Sequence, residues 1–171
     1  AEAARKGRAE FEHWETLSTP PYLGAMIDPA MLPKEVLPMV RHFIGIAPPS
    51  VQGKTVSGTG ASQGIVTGRA RIIRTLDESD KLEPGDVMVC VTTAPPWTAL
   101  FAIAGAVVTD TGGVISHSGI CAREFAIPCV VGTQVGTSVI PDGAMVTVDG
   151  TSGTVTSGGK LLGPIAVGYN A

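Results

Sequence analysis

Thr109-Asp-Thr-Gly-Gly-Val-Ile-Ser-His-Ser-Gly-Ile-Cys-Ala-Arg-Glu-Phe-Ala-Ile-Pro-Cys-Val-Val-Gly-Thr133 is the most informative stretch of the chain. It reads as the end of a buried strand, a glycine turn, a polar helix start and a second strand. Gly105 to Thr109 is apolar enough for a strand covered on both faces, Ser116 to Phe125 predicts a helix stopped by Pro128, and Cys129 to Val131 predicts a further short strand. The paired glycines Gly112 and Gly113 give the backbone access to positive φ and to close approach by a ligand. The free N–H groups and positive end of the helix that follows favour an anion.

His117 falls in the first turn of that helix. A neutral imidazole is a competent nucleophile near pH 7, because its reference pKa is about 6.5 and a hydrogen bond to one ring nitrogen can fix the tautomer. His117 is therefore the candidate to carry a phosphoryl group covalently. Arg123 supplies a guanidinium for charge that develops during transfer, and Ser116, Ser118 and Thr111 supply hydroxyl donors. Glu124 is read as orienting Arg123 or capping local structure rather than as a base. No metal site is expected. Cys121 and Cys129 with His117 lack a Cys-x-x-Cys pair, and a Cys121–His117 thiolate pair lacks an orienting acid. His13 and His42 are expected to be structural or surface residues.

Working outward, Asp86 to Val91 predicts a strand after the turn Glu83-Pro84-Gly85, and Trp97 to Ala104 a short helix after Pro95-Pro96. Trp97 and Phe101 are read as core. Gly64 to Ile73 suggests one arm of a hairpin, with Arg69 and Arg71 on a solvated face, and Ala144 to Val148 with Gly153 to Thr156 suggests another hairpin around Asp149-Gly150. Glu2 to about Leu17 predicts a docking helix with Phe11, Trp14 and Leu17 in one stripe. Seven prolines between Ser18 and Ser50 leave room only for a broken turn of helix around Glu35 to Phe43.

The 171 residues, 44% hydrophobic and only 5% aromatic with 22 glycines and 13 prolines, suit one compact domain built from short α and β elements. The domain division expected is 1–50 for the N-terminal helix and Pro-rich linker, 51–158 for the main domain and 159–171 for a tail. A formal charge of -3 argues against nucleic acid or an anionic membrane as partner. No apolar run is long enough to cross a bilayer, and three cysteines without a disulfide framework point to a reducing cytoplasm. No Gly-x-x-x-x-Gly-Lys-Ser/Thr loop is present, so no nucleotide is expected on this domain. The chain starts at Ala1, and we expect a piece of a larger protein.

The paired glycines, Ser116-His117, Ala122-Arg123-Glu124 and Ile127-Pro-Cys-Val-Val-Gly132 resemble the mobile, or swivelling, phosphohistidine domain of phosphoenolpyruvate-utilising enzymes. The resemblance covers Thr55 to Thr156. It implies an α/β fold with three layers, β/β/α, and a phosphoryl carrier at His117. It also implies an ATP-binding domain or subunit, holding ATP and Mg, and an acceptor-substrate domain of the same enzyme as partners, with no cofactor on this domain itself. Thr93-Ala-Pro-Pro-Trp-Thr-Ala-Leu-Phe101 is similar to a segment of the rifampin phosphotransferase and phenylphosphate synthase branch. Ile115 stands where many members have Thr, and Ser118-Gly119 where many have Ala-Ala. The alternative reading is a non-catalytic docking module that keeps the fold.

Overall fold

The computed structural model describes residues 2–16, 31–44 and 50–159, and the chain divides at Pro33/Lys34 into two compact units. In the first unit, helix α1 spans Glu2–Glu15, with Phe11 exposed; Leu17 and most of the proline-rich stretch lie outside the described residues. The second unit holds α2 (Leu37–Ile44) and every strand among the described residues. Of the predicted tail, only Gly159 is described.

The strands are β1 (Ser50–Gln52), β2 (Thr55–Ser57), β3 (Thr59–Ser62), β4 (Ile65–Ile72), β5 (Val87–Cys90), β6 (Ala106–Thr109), β7 (Cys129–Val131), β8 (Met145–Asp149) and β9 (Thr154–Ser157). They hydrogen-bond in the order β1-β2-β9-β8-β4-β5-β6-β7-β3. β4 to β7 run parallel, and their crossovers carry α3 (Thr98–Phe101) and α4 (His117–Glu124). The other pairings, β3 on β7 among them, are antiparallel. A short α5 (Gly136–Val139) links β7 to β8.

Side-chain alternation sorts the core into two slabs. Val87, Val89, Val108 and Val130 on the parallel strands meet Val56, Ala70, Val146, Val148 and Val155 on the antiparallel ones. The intervening Met88, Val107, Cys129 and Val131 turn the other way, onto Leu100, Phe101 and Ala104 beside α3 and Ala122 of α4. The product is three layers, β/β/α, in an α/β fold. β5, β6 and β7 are buried on both faces, which is why they read in sequence as unbroken apolar runs.

The stretch Gly64 to Ile73 is not an arm of a local hairpin. β4 pairs Ile65–Arg69 with β8 and Ala70–Ile72 with β5, so one long strand joins both sheets. The β8–β9 hairpin forms as expected, and its turn is held by the Asp149 carboxylate, which accepts from the N–H groups of Thr151 and Ser152 at 2.9 and 3.1 Å. Gly150 in that turn lies so close to the edge of β3 that an added Cβ would stand 1.9 Å from the Ser62 carbonyl oxygen.

Two outcomes test this description. Gly150→Ala is expected to cost about 1–3 kcal/mol in urea denaturation, because the clash is with backbone and cannot be relieved by a rotamer. The hydrogen bonds from Ser152 and Thr151 hold the Asp149 carboxyl below its ordinary value, so the unfolded chain binds the extra proton. The stability this group adds is present above the ordinary carboxylate range and is lost as pH falls through the lowered folded value. The gap in denaturation midpoint between wild type and Asp149→Asn should therefore narrow on going from pH 7 to pH 3.

Candidate functional site

The site forms beyond the carboxyl ends of β5 and β6, where open parallel sheets present their ligand-binding loops. Thr109 and Thr111 shape the exit from β6. The Thr109 hydroxyl donates to the Thr111 carbonyl, and the Thr111 hydroxyl donates to the Val91 carbonyl at 3.0 Å, tying together the two strand ends. Asp110 between them is buried, with its carboxylate accepting from the Thr133 and Thr137 hydroxyls and the Thr137 N–H. Gly112 takes φ +97°, a conformation that disfavours any side chain, and an added Cβ would also meet Ser116 Cβ at 2.9 Å. Gly113 does not take a positive φ, so only the first of the paired glycines is needed for its conformation.

Ser116 caps α4. Its backbone is extended and its Oγ accepts from Gly119 N–H at 3.3 Å. His117 follows as the first helical residue, half-buried, with its ring edge-on to Phe101 at a centroid distance of 6.1 Å. Phe101 is core, as expected, and that contact also fixes the plane of the imidazole.

The two imidazole nitrogens face different surroundings. Nδ1 lies 2.8 Å from the hydroxyl of Thr93, which in turn lies 2.8 Å from the Ser118 hydroxyl. Nε2 has only longer neighbours, Cys121 Sγ at 3.4 Å and Thr98 Oγ1 at 3.5 Å. The direction of the hydroxyl chain follows from satisfaction. Ser118 is buried and among the described residues its hydroxyl meets only Thr93, so the Ser118 proton goes to Thr93 and the Thr93 proton to Nδ1. With Thr93 donating to Nδ1, the tautomer that fits this chain is the one with its proton on Nε2.

The other proposed site residues are spread around this centre. Ser118 joins it through Thr93, Ser116 serves as helix cap, and Thr111 ties strand ends. Arg123 stands six residues beyond His117, about 240° round the helix. Its Nη1 donates to the Ala61 carbonyl of β3 at 2.7 Å, and it lines an open cleft of about 600 Å³ together with His42, Ser62, Gln63 and Thr151. His42 also ties α2 to the site loop, its carbonyl accepting from Val114 N–H at 3.3 Å. Cys90 and Cys129 are fully buried free thiols, and burial pushes the Cys129 thiol up to about 12. Among the described residues no group of three or more His, Cys, Asp and Glu is placed to hold a metal ion.

Thr93 and Thr98 were not read as site residues from the sequence. Both belong to the Thr93–Phe101 segment singled out above for its similarity to one enzyme branch. Nothing in linear spacing joins residues 93 and 98 to residue 117; the parallel pairing of β5 with β6 does so.

Residues 82–153 match the family described as PEP-utilising enzyme, mobile domain. The matched stretch, under half of the chain, includes the whole of α4 with His117. It is 42% identical over 157 residues to a Bacillus subtilis protein named uncharacterized phosphotransferase YvkC, covering 91% of this chain and 18% of that protein. It is 45% identical over 104 residues to the phosphoenolpyruvate synthase of Aeropyrum pernix, covering 60% of this chain and 13% of that enzyme. A solved structure of Enzyme I aligns at 35% identity with a TM-score of 0.42, over 47% of this chain and 33% of the other. The chain thus spans less than a fifth of the curated relatives named here. No described helix is long and apolar enough to cross a membrane.

Removing the Thr93 hydroxyl tests the chain of donors. In Thr93→Val the Ser118 hydroxyl is stranded, and stability should fall by about 1–3 kcal/mol. The 15N spectrum of His117 should move from a single Nε2–H tautomer toward a mixture, whereas an unchanged tautomer would contradict the assigned direction.

Proposed function

We propose that this domain is a phosphoryl carrier, with His117 Nε2 as the atom that receives the group. The observation that carries the reading is the asymmetry of the ring: Nδ1 is held at 2.8 Å by Thr93, while Nε2 makes only contacts of 3.4 Å and longer. A ring anchored through one nitrogen leaves the other for chemistry.

The step requires the proton to pass from Nε2 to Nδ1. The two hydroxyls then reverse, Nδ1–H donating to Thr93 and Thr93 to Ser118. The freed Nε2 lone pair attacks phosphorus, an N–P bond forms, and the P–O bond to the leaving group breaks with its electrons on that oxygen. Transfer onward runs the same step in reverse, with an acceptor oxygen attacking phosphorus and the N–P electrons returning to Nε2. Leaving Ser118 without an acceptor in the reversed chain costs about 1 kcal/mol. That favours the unreactive tautomer until a donor is present. Ser116 adds a hydroxyl at the helix start, and the uncapped N–H groups of that turn add partial positive charge.

The donor proposed is ATP, or phosphoenolpyruvate in the reverse sense, bound with Mg on a neighbouring ATP-binding domain or subunit. The acceptor lies on a further domain of the same enzyme. The relatives are several times longer than this chain, which leaves room for such domains. Within the family we favour a dikinase-type phosphotransferase, of the rifampin phosphotransferase and phenylphosphate synthase kind or the phosphoenolpyruvate synthase kind. The isolated domain is then not expected to turn over, and the setting is cytoplasmic.

Mass spectrometry after incubation of the complete enzyme with ATP labelled in its β-phosphoryl group tests the reading. One acid-labile phosphoryl group should appear on His117 and be absent from His117→Ala. Label on another residue, or undiminished label in the variant, would overturn it.

A further inference from the structure

The mechanism leaves unexplained why two polar side chains, Thr98 and Cys121, flank the reacting nitrogen. Thr98 opens α3 and Cys121 stands one turn beyond His117 on α4, so they reach Nε2 from two different helices. Thr98 has a single hydroxyl proton, which it donates to the Pro95 carbonyl at 2.7 Å. Toward Nε2 the resting Thr98 therefore presents lone pairs, and it can only accept the Nε2 proton across 3.5 Å. That arrangement fits the empty carrier. It does not fit a loaded one, because a phosphoryl group on Nε2 replaces the proton with anionic oxygens, and a hydroxyl aiming lone pairs at them is repulsive.

We infer that Thr98 is a catalytic residue whose hydroxyl swings from the Pro95 carbonyl to a phosphoryl oxygen as the group arrives, and swings back as it leaves. This rests on the carrier reading and deepens it. Thr98 Oγ1, 3.5 Å from Nε2, stands near enough for its hydroxyl to meet the oxygens of a phosphoryl group carried there. The exchange trades a neutral acceptor for a charged one, and hydrogen bonds to charged groups are the stronger kind. Pro95 loses little, since its carbonyl is in an exposed turn and also accepts from Thr98 N–H. The Thr98 bond is made to the transferring group and is absent in the resting enzyme, which is the condition for lowering the barrier rather than merely binding. Cys121 Sγ, 3.4 Å from Nε2, adds a weaker donor, a thiol that can turn to the same group.

The test uses the 171-residue chain with potassium phosphoramidate, a small donor that phosphorylates histidine without a partner domain. Label on His117 is followed by mass spectrometry, and the lifetime of the phosphorylated chain at neutral pH is followed by 31P NMR. Thr98→Val should be phosphorylated about tenfold more slowly, the equivalent of about 1.4 kcal/mol in the barrier. Thr98→Ser, which keeps the hydroxyl, should restore the rate, an outcome that a loss of packing alone would not give. The 31P resonance of the loaded chain should shift in Thr98→Val and not in Thr98→Ser. Equal rates and equal 31P shifts in wild type and Thr98→Val would overturn the role of Thr98 while leaving the carrier reading in place. Absence of label on His117 in the wild-type chain would overturn both.

Discussion

Strand β4 is the constraint on which the architecture turns, because it is hydrogen-bonded into both sheets. Its first five residues pair with β8 and its last three with β5, and the change of partner falls between Arg69 and Ala70. One strand in two sheets forces the antiparallel layer to fold across the parallel layer, and the valines that face each other across that fold become the inner slab of the core. The close approach this demands is visible at Gly68, where an added Cβ would stand 2.6 Å from the Gly85 carbonyl oxygen. The Arg71–Asp86 ion pair at 2.8 Å holds the same junction from its outer side. Its carboxylate also accepts from Glu83 N–H, so the turn into β5 is set by the strand that precedes it.

That junction explains which parts of the fold were legible in the sequence. β5, β6 and β7 could be read because burial on both faces leaves no polar positions, and the β8–β9 hairpin could be read because Asp149-Gly150 announces its turn. β4 was seen as a strand and given the wrong partner, since its mates lie far off in sequence while a hairpin assumes a near one. β3, with the sequence Thr-Gly-Ala-Ser, gave no strand signal at all. It owes its conformation to pairing with β7, and its small residues to the crowding of Gly150 against Ser62. Tertiary packing selects such a strand and intrinsic preference does not.

The site divides in the same way. His117, Ser116 and Gly112 were legible because they are local: a positive-φ glycine, a cap and the first helical residue must follow one another along the chain. Thr93 and Thr98 were not, because they reach the imidazole only when the loop after β5 is laid beside the loop after β6. Arg123 shows the complementary limit. Proximity in sequence suggested a place beside the ring, whereas helix geometry turns it toward β3, where it binds a backbone carbonyl.

The placement of the threonines bears on how a histidine at the start of a short helix is held. α4 has eight residues, and its start is fixed from outside by three ties: the Ser116 cap, the Thr111–Val91 bond and the edge contact of Phe101. The helix thus contributes direction and partial charge, while the ring itself is held by Phe101 of α3 and by Thr93 in the loop after β5. A histidine held this way can keep one nitrogen fixed by hydroxyls that reverse without moving a heavy atom, so a change of tautomer disturbs proton positions far more than side-chain positions. Such a site keeps nearly the same shape in either tautomer of the ring.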